Sequence, residues 1–233
     1  MTSGEGFGKI LEELGVVPRE LKYYTLAFTH RSYLNESNDA TASNERLEFL
    51  GDSVLSFVVS SFLYQTRTMD QEGELTNLRA FIVKTESLAK AAGKLQLGKF
   101  LRLSKGEELS GGRENPQIMA NTYEAVLGAL FLDLGIDAVS RFIHQTLLPL
   151  FEEEVKKGAP RDPKSQLQEV VQSRFQVSPR YRILSTSGPD HAKHFVVGVF
   201  IQERQVGEGQ GLSKQQAEEE AATKALLELN KSA

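Results

Sequence analysis

The chain has 233 residues, 40% hydrophobic and 25% charged, with 27 basic against 31 acidic side chains for a net charge of −4. That length accommodates two domains, and the composition is that of an ordinary globular protein. Cysteine is absent and there are only four histidines, which excludes disulfides and thiolate sites and leaves oxygen to hold any metal, favouring Mg²⁺ or Mn²⁺ over Zn²⁺. The acidic balance does not advertise a polyanion partner unless positive charge gathers on one face. Met1-Thr2-Ser3-Gly4-Glu5 has no basic or apolar targeting segment, and the most apolar run, Val54 to Tyr64, is short for a bilayer and broken by serines. A cytoplasmic protein with no membrane partner is expected.

The first two thirds of the chain read as helical. Pro18, the Gly51 region, Gly73, Gly98, Gly111-Gly112 and Gly135 punctuate runs of roughly 10–20 residues with 3.6 periodicity. No strand is expected before residue 160. From Asn44 to Leu55, Glu45, Glu48 and Asp52 stand at i, i+3 and i+7. At about 100° per residue they share roughly a 60° arc, with Leu47, Leu50, Val54, Phe57 and Val58 on the opposite side. Like charges so spaced cost a few tenths of a kcal/mol per pair on an exposed helix, and a bound divalent cation is one reason to accept that cost.

Asn115-Pro116 marks a turn before a second helix, on which Asn121 and Glu124 stand at i, i+3 with Gly128 on the same stripe as Glu124. A glycine inside a helix costs about 1 kcal/mol relative to alanine, so Gly51 and Gly128 point to two helices packed closely with their acidic groups converging. Such a set suits Mg²⁺, which would lower the pKa of a bound water and neutralise phosphate charge. A single Glu-x-x-Glu is ordinarily just a solvated helix face; the whole set with its glycines favours a metal site. His30 reads as a structural hydrogen-bonding residue, Phe49 and Tyr123 as packing groups, and Glu107-Glu108 and Glu152-Glu153-Glu154 as solvated charge.

Lys156-Lys157-Gly158-Ala159-Pro160-Arg161-Asp162-Pro163 reads as a linker. After it, 163–175 form an amphipathic helix with Leu167, Val170, Val171 and Phe175 inward. Residues 179–186 and 194–203 alternate as strands do, and Gly207, Gly209 and Gly211 fit a close-packed third strand. Ser213 then caps a last helix that ends near Leu229. The order is α-β-β-β-α. Residues 1–161 hold 18 basic and 22 acidic side chains and 162–233 hold 9 of each, so the acidity belongs to the first domain.

Asn44 to Leu55 resembles the signature of the bacterial ribonuclease III family. The likeness extends through Thr29-His30-Arg31-Ser32-Tyr33, Glu72-Gly73-Glu74-Leu75-Thr76 and Ala120 to Asp133. The tail is similar to a double-stranded RNA-binding domain through Asp162 to Glu169, Gly188-Pro189-Asp190-His191 and Gly211 to Glu218. The resemblance implies a multidomain chain: an all-α, dimerising endonuclease domain at 1–157, a linker at 158–162, and an α+β (α-β-β-β-α) RNA-binding domain at 163–233. It implies Asp52, Glu124, Glu45 and Glu72 as catalytic acids, and Glu48, Asp52, Asn121 and Glu124 around Mg²⁺, with Mn²⁺ able to substitute. Duplex RNA must be read through minor-groove 2′-hydroxyls and phosphates. Gln168 and Gln172, one turn apart, and His191 suit the groove, and Lys214 at a helix start suits a phosphate.

Two departures stand out. The family position held by Asn121 is usually aspartate; asparagine keeps an oxygen but loses a charge. Lys214-Gln215 stands where two adjacent lysines are common, which implies modest affinity. The expected activity is Mg²⁺-dependent hydrolysis of both strands of double-stranded RNA by a homodimer, leaving 5′-phosphates, 3′-hydroxyls and a short 3′ overhang, in ribosomal RNA and structured-transcript processing. One alternative is a cleavage-impaired double-stranded RNA-binding protein, disabled at Asn121. Another is a helical Mg²⁺-dependent nucleotide pyrophosphatase, in which the C-terminal module has no role.

Overall fold

Seven side positions, Leu47, Gly51, Val54, Leu55, Val58, Val59 and Leu63, form the buried stripe of helix α3 (Glu45–Thr66). Facing it is α7 (Pro116–Leu134), in which Met119, Ala120, Thr122, Tyr123 and every residue from Ala125 to Leu130 are buried. A helix buried almost all round belongs at the centre of a fold. Its start is well specified: Pro116 opens the first turn, and the Asn115 side chain accepts hydrogen bonds from the amides of Gln117 (2.9 Å) and Ile118 (3.3 Å). It ends at Gly135, whose φ of 81° favours glycine.

These coordinates are a computed structural model that describes residues 3–13, 15–37, 40–158, 163–189 and 193–231. The chain divides into two compact units, Met1–Ala159 and Pro160–Ala233. Around α3 and α7 in the first unit lie α1 (Ser3–Glu13), α2 (Leu21–Ala27), α4 (Glu72–Val83), α5 (Thr85–Lys94), α6 (Lys105–Leu109), α8 (Ile136–Thr146) and α9 (Glu152–Lys157). Among the described residues of this unit, pairing of the strand type is confined to an isolated bridge between Thr29 and Arg102. Gly73 does not interrupt a helix as expected. It sits in the first turn of α4, where the Glu74 side chain accepts from the Gln71 amide (3.1 Å).

By length and composition α3 could cross a membrane, so the expectation of a run too short to do so understated it. Its buried stripe belongs to the core of the first unit and its first two turns carry three carboxylates, which is how a core helix is built.

The second unit contains α10 (Pro163–Phe175), β1 (Arg180–Ser187), β2 (His194–Ile201), β3 (Arg204–Gly211) and α11 (Lys214–Lys231). The strands form one antiparallel sheet in the order β1-β2-β3, with Tyr181 opposite Val199 and Val199 opposite Gly207. Leu167 and Val171 of α10, Val199 and Ile201 of β2, and Ala221, Ala222 and Ala225 of α11 make its core. Phe175, expected inward, is 45% exposed, because it is the last residue of α10 and lies past the sheet-covering turns. Residues 159–162 of the expected linker lie outside the described residues.

Candidate active site

Gly51 and Gly128 determine where the acidic side chains meet. A Cβ on Gly51 would collide with the backbone carbonyl of Glu124, and one on Gly128 with the carbonyl of Leu47. The two helix backbones therefore touch at the turns that carry Glu48, Asp52 and Glu124. The tight packing expected from these glycines is present.

Glu45, Glu48 and Asp52 from α3 and Asn121 and Glu124 from α7 line one open cavity of about 1170 Å³. Burial, then the charges of Asp52 and Glu48, push the Glu124 carboxyl up to about 7. Burial also raises Glu48, joined by the charges of Glu45 and Asp52 and opposed by a hydrogen bond from the Asn121 amide. Glu45 faces Arg31 at 3.8 Å and accepts from the Ser43 hydroxyl at 2.7 Å. Among the described residues, Glu48, Asp52 and Glu124 have no ion-pair partner.

The donor set is all oxygen, half-buried and in excess of negative charge, which suits a hard cation. Among the described residues, however, no group of three His, Asp or Glu side chains stands close enough to chelate one. Carboxylates that repel one another with nothing between them splay, and the amide of Asn121 already occupies Glu48. Its oxygen accepts from Gln117 Nε2 at 2.6 Å.

Glu72 does not join this group. It is exposed in the first turn of α4 and is not among the residues lining the cavity. The cavity adds residues the spacing did not reveal: Arg31, Glu107 and Gln117. Glu107 is not simply solvated charge, since it lines the cavity. Glu108 pairs with Arg113 at 2.7 Å. His30 is structural as expected: its Nδ1 receives the Ser32 amide (3.3 Å) and contacts the Ser32 hydroxyl (2.9 Å), and burial lowers its pKa. Tyr123 is fully buried against Thr146. Phe49 is not a packing group within the chain, being 78% exposed at the cavity rim.

In the second unit Gln168 and Gln172 are exposed one turn apart on α10, opposite buried Leu167 and Val171. Lys214 is exposed as the first residue of α11, which Ser213 caps by accepting from the Gln216 amide (3.2 Å). Lys214 shares a small cavity with Lys164, Gln215, Glu218 and Glu219. Lys164 is paired with Glu218, and Gln215 donates to Glu219 at 2.9 Å. His191 lies outside the described residues.

Residues 20–150 match the family model described as Ribonuclease-III-like, and residues 163–229 match the double-stranded RNA binding motif. The chain is 44% identical to Ribonuclease 3 of Streptococcus gordonii over 228 residues, covering 96% of each chain. It is 47% identical to Ribonuclease 3 of Oceanobacillus iheyensis over 222 residues, 95% of this chain and 97% of that one. The nuclease domain of the Campylobacter jejuni ribonuclease III is similar in structure, with a TM-score of 0.57 and 35% identity over 62% of this chain and 97% of that chain. With an all-helical unit that gathers carboxylates in one cavity and an α-β-β-β-α unit after it, the chain belongs to the ribonuclease III family of endoribonucleases and carries a double-stranded RNA-binding motif.

Proposed function

We propose that this protein is a homodimeric, Mg²⁺-dependent endoribonuclease that hydrolyses both strands of double-stranded RNA. Its products are 5′-phosphate and 3′-hydroxyl ends with a short 3′ overhang, and it acts in the cytoplasm on ribosomal RNA and structured transcripts. The observation that carries this reading is the meeting of Glu45, Glu48, Asp52, Asn121 and Glu124, from two distant segments, in one cavity. The nuclease domain is residues 1–157 and the RNA-binding domain 163–233, joined by a linker at 158–162.

A hard divalent cation, when bound, neutralises phosphate charge and lowers the pKa of coordinated water. Glu48, Asp52 and Glu124 hold it through carboxylate oxygens, and Asn121 through its amide oxygen. Mn²⁺ satisfies the same donors. Glu124, raised to about 7 without a cation, is suited to accept a proton at its carboxylate near neutral pH. Glu45 at the cavity mouth adds to the negative field, and Glu72 belongs to the wider acidic valley of the dimer. The occupant of the second half of that valley is another copy of this chain. Phe49, Phe57 and Tyr64 are 78%, 63% and 76% exposed on α3, and large apolar side chains on one helix call for a cover.

Gln168, Gln172 and His191 are assigned to the minor grooves and Lys214 to a phosphate, where its charge adds to the positive end of α11. The RNA-binding unit holds the duplex and supplies no catalytic group.

Cleavage of a labelled perfect duplex tests the reading, using the native protein and Glu124→Ala, each with Mg²⁺ and with EDTA. The native protein should cut only with Mg²⁺. The variant should lose about 100-fold or more in rate while still retarding the duplex. Cutting in EDTA, or an undiminished rate for the variant, would sink the reading. The amide facing Glu48 favours one second possibility, a protein that retains duplex RNA without cutting it, and the same assay separates the two.

A further inference from the structure

The side chain of Asn121 is held at both ends. Its Oδ1 accepts from Gln117 Nε2 at 2.6 Å, one turn earlier on α7. Its nitrogen donates to the Glu48 carboxylate across the interface with α3. Gln117 is exposed and lines the same cavity. A primary amide has one accepting end and one donating end. Here the accepting end is turned back along α7 and the donating end faces the carboxylates. A hard cation takes oxygen, not an amide N–H. For Asn121 to ligate an ion the amide must turn over, which breaks both hydrogen bonds.

We propose that Gln117 is a positioning residue that sets the metal requirement of this site. In the metal-free protein it holds Asn121 as a hydrogen-bond donor to Glu48, and it must release the amide before the Asn121 oxygen can reach an ion. The inference rests on the metal-site reading above. An aspartate at position 121 would behave differently. Both its ends are oxygens, so Gln117 could keep donating to one while the other faced the ion.

Mg²⁺ titrated calorimetrically into the RNA-free protein tests this. Gln117→Met keeps length and helix preference but removes the donor. Its unfolding midpoint should match the native protein, because the side chain is exposed. Its Mg²⁺ dissociation constant should fall roughly two- to threefold, the size of an i, i+4 side-chain hydrogen bond on a helix. In an Asn121→Asp background the same replacement should leave the constant unchanged or raise it. The Asn121 side-chain amide resonances, identified by their loss in Asn121→Asp, should shift as Mg²⁺ binds. A constant that does not fall with Gln117→Met, an equal fall in both backgrounds, or unmoved amide resonances would each overturn the proposal. No Mg²⁺ binding by the native protein, with none lost in Glu124→Ala, would instead remove the metal-site reading itself.

Discussion

Glu124 sets burial against charge, and stability follows from that conflict. Its folded-state carboxyl is raised from about 4.5 to about 7. The folded protein therefore binds more protons than the unfolded chain between those values. The destabilisation is absent below the unfolded pKa, grows as pH rises, and is complete above about 7. In EDTA, Glu124→Gln should gain stability relative to the native protein as pH rises through this window, and saturating Mg²⁺ should shrink the gain. Urea unfolding across the window measures it; a pH-independent difference would contradict the assigned cause. The five cavity residues of α3 and α7 were legible because helical spacing places them on one stripe of each helix. Gln117 had a weak signal, four residues before Asn121. Arg31 and Glu107 had none, since each reaches the cavity from a segment whose own periodicity says nothing about it.

At the scale of elements, α3 and α7 approach through glycine. An exposed helix gains about 1 kcal/mol when glycine becomes alanine. Gly51→Ala should do the opposite, because the new methyl would meet the backbone of Glu124, which cannot move aside as a flexible side chain can. A loss of about 3 kcal/mol in equilibrium unfolding is expected, at the upper end of overpacking costs. A gain in stability would show that the helices part freely here. The same principle explains β3. Gly207, Gly209 and Gly211 lie where a Cβ would strike Ala221, Ala217 or Gln216 of α11, so an alanine-lined helix and a glycine strand fit as one device. Their spacing was visible in the chain, while the partner helix was visible only as an alanine-rich run.

The whole molecule leaves one face of α3 uncovered. Phe57 and Tyr64 are 63% and 76% exposed seven residues apart, on the helix that also carries Glu45, Glu48 and Asp52. A second copy laid on this face would bring two cavities into one assembly, as cutting two strands requires. Phe57→Glu should convert the dimer to a monomer in sedimentation at micromolar concentration, with the helical content of the first unit unchanged. A dimer of unaltered stability would place the contact elsewhere.

The amino-acid sequence alone determined the all-helical first unit, the α-β-β-β-α order of the second, and the carboxylate stripes, because hydrophobic and charged periods are properties of neighbours along the chain. Tertiary structure decided that Glu72 stands apart from the cavity, that Phe49 and Phe175 are exposed, and that the amide of Asn121 faces Glu48 with its nitrogen. Those outcomes depend on which backbones approach one another and on which end of an amide finds a donor first. No period along a single helix carries that information.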